Sequence, residues 1–155
     1  MRLPRQMLLK LRHWFSPRQE AEPPTFIQVS NLTRKTVIAT SVEVADSGSK
    51  RNRGLLGRTG LAPGEGLWIV PCESVHTIGM KFPIDLIYLD RKLRIKKLRS
   101  DVGPWRMSAC LSAHSVLELA CGAIRNTQVR KGDQLALSTV PPPLSGAQSV
   151  SARNH

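Results

Sequence analysis

Pro83-Ile84-Asp85-Leu86-Ile87-Tyr88-Leu89-Asp90 is apolar on both faces of an extended chain. Ile84, Leu86 and Tyr88 would occupy one face, and Asp85, Ile87 and Leu89 the other, because successive side chains of a strand point to opposite sides. A strand with no polar face belongs in the interior of a sheet covered on both sides. The Asp90-Arg-Lys turn then predicts a hairpin, with Leu93-Arg-Ile-Lys-Lys-Leu98 as the returning strand. Asp85 is the exception. A carboxylate at that position needs a cation or several donors, or it takes up a proton.

Working outward, short β-branched runs separated by turn residues continue in both directions. Phe26 to Ser30 and Thr36 to Val44 read as the first two strands. Ser47 as N-cap and Gly57 as a residue past the end suggest a helix of one or two turns, with Gly54 inside it as a weak point. After the Ala62-Pro-Gly-Glu-Gly66 turn, Leu67 to Val70 reads as a buried strand, and residues 101 to 112 as a loop carrying Trp105. Ser115 to Ala120 is another strand, Ala123 to Val129 a short helix, and Gln134 to Leu137 the closing strand. The expected fold is mainly β, a small barrel or sandwich of short strands with one or two short helices, over residues 26–140. Residues 141–155, rich in Pro, Ser, Gly and Ala, read as a disordered tail.

The 155 residues suffice for one domain with its own core, and a hydrophobic fraction of 41% is ordinary for a globular protein. Twenty-three Lys and Arg against eleven Asp and Glu give a net charge of +12, which favours anionic contacts: nucleic acid, acidic lipid or an acidic protein face. Three cysteines, Cys72, Cys110 and Cys121, make no disulfide framework and read as free thiols in a reducing compartment. Residues 1–25 form a basic amphipathic leader in which Met7, Leu8, Leu11, Trp14 and Phe15 recur at helical spacing among cations. Residues 1–18 are thereby a candidate peripheral anchor for an anionic membrane surface, set against a frayed leader or a helix docked on the domain. No apolar run approaches a transmembrane helix, and the expected location is cytoplasmic, loosely held at a membrane.

From Arg53 onward the chain resembles an uncharacterised prokaryotic family, domain of unknown function 192. The resemblance is carried by Arg53-Gly-Leu-Leu-Gly-Arg58, Gly66-Leu-Trp-Ile69, His76-Thr-Ile-Gly-Met80, Pro83 to Asp90, Val116-Leu-Glu-Leu-Ala-Cys-Gly122 and Gly132-Asp133, in order and in spacing. Leu56 and Leu67 stand where the family more often has Met, and Ile69 where it has Phe or Val. Such apolar swaps conserve volume. The resemblance implies a compact, mainly β fold and no activity, cofactor or catalytic residue, so chemistry has to be argued from side chains.

Asp85 and Glu118 are the candidate acid and base. Glu118 shares its strand face with Val116 and Ala120 and poses the same burial problem as Asp85. In an enzyme the two acids would converge in a cleft while Arg53 or Arg58 held an anionic substrate; in a purely structural role each would be tied to an arginine or to loop amides. Cys72, His76 and Met80, four apart, carry donors suited to Cu(I), although Cys and Met are also common core fillers and no zinc motif accompanies them. His76 alone is a third candidate base. The run Arg91 to Arg99, with Arg94 and Lys96, and Trp105-Arg106 beyond it, is a candidate nucleic-acid surface, or a lysine-rich edge strand that blocks aggregation. Scattered glycines make no phosphate loop, and no cofactor is implied. The leading expectation is a small non-catalytic binding or accessory module with a basic surface. The alternatives are an enzyme for a small anionic substrate using Asp85, Glu118 and the arginines, and weak nucleic-acid binding through Arg91 to Arg106.

Overall fold

The computed structural model describes residues 23–143; the leader through residue 22, with the candidate anchor, and residues 144–155 of the tail lie outside the described residues. Nine strands and two short helices follow one another: β1 (Phe26–Asn31), β2 (Thr36–Ala45), α1 (Gly48–Arg53), β3 (Glu65–Ile69), β4 (Ser74–His76), β5 (Ile84–Leu89), β6 (Ile95–Val102), β7 (Met107–Ala109), β8 (Ser115–Ala120), α2 (Ala123–Thr127) and β9 (Leu135–Val140). The mainly β class with two short helices therefore holds. Seven strands form one mixed sheet in the order β6-β5-β8-β3-β2-β1-β9, and β4 and β7 form a separate two-stranded ribbon. Only β2 and β3 run parallel, and α1 lies in the connection between them.

The large sheet is not closed into a barrel. Its two edge strands approach at one corner, where Arg94 bridges Gln134 and the Ile95 amide donates to the Asp133 carbonyl at 2.9 Å. This curvature wraps one face of the sheet around a core that includes Val29, Val42, Ile87, Leu89, Leu117 and Leu119, with Ile124 of α2 packed into it. The opposite face carries a second core of Leu67, Ile69, Ile84, Leu86, Tyr88 and Val116, which the β4–β7 ribbon contributes to through Val75. Every residue of β5 and of β8 is buried. These two strands lie between the two cores, which is why both read as apolar throughout.

Several boundaries differ from the sequence expectation. Helix α1 ends at Arg53 because Gly54 takes φ +50° and breaks the turn; Ser47 caps its start as expected. Strand β9 runs on to Val140 because Phe26 to Asn31 pair with it along its whole length. The loop expected over 101–112 contains the end of β6 and all of β7, and β4 was not anticipated.

Candidate functional site

Register decides which side chains meet. Leu86 pairs with Glu118, and Asp85 with Leu119, so the two acids project from opposite faces of the sheet. They do not converge. Asp85 is fully buried on the first core's side and accepts from the Asp101 amide at 2.9 Å and the Ile124 amide at 2.8 Å. Its carboxylate pins the end of β6 and the start of α2 to β5. A carboxylate held by backbone donors is a satisfied structural group. Beside it, the Cys121 thiol donates to the Asp101 carboxylate at 2.9 Å, and this bond, helped by slight burial, raises its pKa to about 11.

Glu118 faces the other way. Glu43, Leu67, Glu118 and Leu86 occupy one row across β2, β3, β8 and β5 and share a face. Glu118 is 4% exposed, yet its Oε2 is buried with no hydrogen-bond partner. Arg58, the cation whose charge acts on it, is ion-paired with Glu43. Burial accordingly raises the Glu118 carboxyl to about 7, outweighing the opposite pull of the Arg58 charge. An ionisable group left unpaired in a protein interior is costly, and such groups concentrate at working sites.

Glu118 lines a cleft of about 480 Å³. One wall is the end of α1 and the turn after it, Arg51 to Leu56; the other runs from Pro71 to His76, with Ile69 and Met80 completing the lining. Leu55, Ile69, Val75 and Met80 are buried and form the apolar part of a lining that is otherwise polar. Arg51 is fixed by bonds to the Asp46 carbonyl at 2.6 Å and the Val70 carbonyl at 3.3 Å, whereas Arg53 is exposed at the rim. A cleft of this size that sets polar and charged groups around a few apolar side chains is large enough for a small ligand.

The sequence-derived candidates divide between places. Arg53, Cys72, His76, Met80 and Glu118 share the cleft, and Arg58 stands behind it on Glu43. The Cys72 thiol donates to the Ser74 carbonyl at 3.1 Å, and burial pushes its pKa up, opposite to an activated nucleophile. Among the described residues no three His, Cys, Asp or Glu side chains group as a metal site. The basic candidates are dispersed: Arg94 donates to the Gly132 carbonyl at the closing corner, Lys96 is left unpaired where Tyr88 faces Lys97 and Leu89 faces Ile95, and Trp105 and Arg106 lie beyond the end of β6. Lys97 lies 5.6 Å from the Tyr88 ring centroid and donates to the Ala109 carbonyl at 2.7 Å. Strand β6 is indeed a sheet edge. Arg51 and Glu73 also line the cleft and were missed, since each reads as an ordinary surface charge in a turn or short helix.

No curated protein matches the chain. Two solved structures share its fold. A protein of Sinorhizobium meliloti 1021, provisionally described as a transcription regulator, superposes with a TM-score of 0.65 at 20% identity, over 74% of this chain and 94% of that one. A protein of unknown function from Novosphingobium aromaticivorans DSM 12444 gives 0.63 at 19% identity, over 76% and 94%. The family model described as domain of unknown function 192, uncharacterized ACR, matches residues 29–137, which span both cores and the Glu118 cleft, and the chain belongs to that family.

Proposed function

We propose that the protein is a non-catalytic binding module that takes a small ligand into the Glu118 cleft, with a cationic or N–H donor head on the carboxylate and an apolar stem along Leu55, Ile69, Val75 and Met80. The buried, partnerless Oε2 carries this reading. Glu118 lines the cleft and its Oε2 is an acceptor already desolvated, so a donor that reached it from the cleft would gain a charge-assisted hydrogen bond with little new desolvation cost at the protein. Arg53 at the rim would complement an anionic group at the ligand's outer end. The enzyme reading loses its acid and base pair because Asp85 is on the other face, and the Cys72 thiol is held protonated.

Since the donor prefers ionised Glu118, affinity should rise with pH through about 7. The test is titration of n-butylammonium and of butyrate into the 15N-labelled full chain, read by amide chemical shifts. Butylammonium should perturb residues 51–56 and 72–76, more strongly above the Glu118 pKa than below it, and Glu118→Gln should abolish the response. Equal responses to both probes, an unchanged response in Glu118→Gln, or none at all would contradict the proposal.

A further inference from the structure

A second feature adjoins the cleft at Leu56 and extends away from it over the β4–β7 ribbon. Leu56, Ile78, Trp105 and Met107 are all exposed, Trp105 and Met107 by 68% and 78%. They belong to one neighbourhood. Met107 pairs with His76 across the β4–β7 ribbon, the Trp105 amide donates to the Thr77 carbonyl at 3.0 Å, and the Leu56 side chain lies against Gly79.

The display is built into the loop. Trp105 holds φ +60°, a left-handed conformation that a bulky residue adopts only when its surroundings impose it. Thr77, 1% exposed, imposes it: its hydroxyl donates to the Gly103 carbonyl at 2.8 Å and accepts from the Arg106 amide at 2.9 Å. A buried side chain thus fixes residues 103–106 so that the indole points into solvent. Large apolar side chains held out in solvent by a fixed loop make a candidate binding surface.

Charge selects the occupant. Segments 76–81 and 103–107 hold no Asp or Glu, while Lys81 and Arg106 are exposed among the apolar residues and Arg53 lies at the cleft rim nearby. The acidic Glu73 is at the other end of β4, and the exposed Asp101, two residues before the loop, accepts from the Cys121 thiol. An indole and aliphatic side chains on segments whose charged residues, Lys81 and Arg106, are cationic match the headgroup boundary of an anionic bilayer, where apolar tips enter and cations meet phosphate. A single aromatic makes a poor platform for successive bases. We infer that the Trp105 end of the β4–β7 ribbon docks the protein onto an anionic lipid surface.

The test is co-sedimentation of the full chain with phosphatidylcholine vesicles, with and without phosphatidylglycerol. Wild type should bind the phosphatidylglycerol vesicles and release with salt; Trp105→Ser with Met107→Ser should weaken partitioning at least tenfold. Lys81→Glu with Arg106→Glu should do likewise, giving a second variant pair confined to exposed positions. All variants retain residues 1–18, so a loss is assigned to the ribbon. Unchanged partitioning in both pairs, or no binding by wild type, overturns the inference. So does a Trp105-dependent shift of single-stranded RNA by a protein that ignores the vesicles.

Discussion

Two buried carboxylates on neighbouring strands have opposite roles, and the difference is in their donors. Asp85 receives two backbone amides and Glu118 Oε2 receives nothing. Removing Asp85 strands both amides, one of them fully buried, at roughly 1–3 kcal/mol each. Asp85→Ala should therefore destabilise the fold by about 3 kcal/mol or more, measured by urea denaturation, and an unchanged midpoint would contradict its structural role. Asp133 is a second corner post: it accepts from Asn31 at 2.8 Å, Arg34 at 2.6 Å and the Arg130 amide at 2.9 Å. Burial opposes its charge, but these donors outweigh burial and hold its pKa below the usual value. A depressed carboxylate contributes stability above its unfolded pKa and loses it as pH falls through the folded one, so this corner weakens only in acid.

Among the elements, β3 and β8 pack with unusual closeness. A Cβ on Gly66 would stand 2.6 Å from the Glu118 carbonyl and 2.7 Å from a Leu119 methyl. Gly66→Ala should push β3 from β8, lowering the thermal midpoint and disturbing the cleft base; a variant of wild-type stability would show that the sheet yields more than this packing implies. Strands with a strong apolar signal were legible in the sequence, β5 and β8 above all. The ribbon strands β4 and β7 were not, because each has three residues of which only the central one, Val75 or Ser108, is buried. They exist by pairing with each other, and periodicity cannot report a partner distant in sequence. The missed stop at Gly54 has a different cause: one residue's positive φ overrode a cap signal three residues later.

For the whole molecule, the residue types of the site were readable and their assembly was not. Glu118, Arg53, Cys72, His76 and Met80 were each singled out, but only the β5–β8 register shows that Asp85 leaves this group, and a shift of one residue would have reversed the outcome. What remains is an acid maintained against its own solvation. A raised carboxyl pKa favours the fold below the unfolded value and loses that contribution as pH rises through the folded one. From about 4.5 to about 7, ionising Glu118 should thus cost up to about 3 kcal/mol. Glu118→Gln, which removes the charge, should be more stable than wild type above neutral pH and not below pH 4.5, while losing ligand binding. Such a trade is what a residue serving binding at the expense of stability would show. The most direct measurement is the 13C chemical shift of the Glu118 side-chain carboxyl as a function of pH, assigned by its absence in Glu118→Gln. A carboxyl buried without a partner predicts a midpoint of about 7; a midpoint at the ordinary 4.5 would mean that the carboxylate is solvated or paired and would contradict the account.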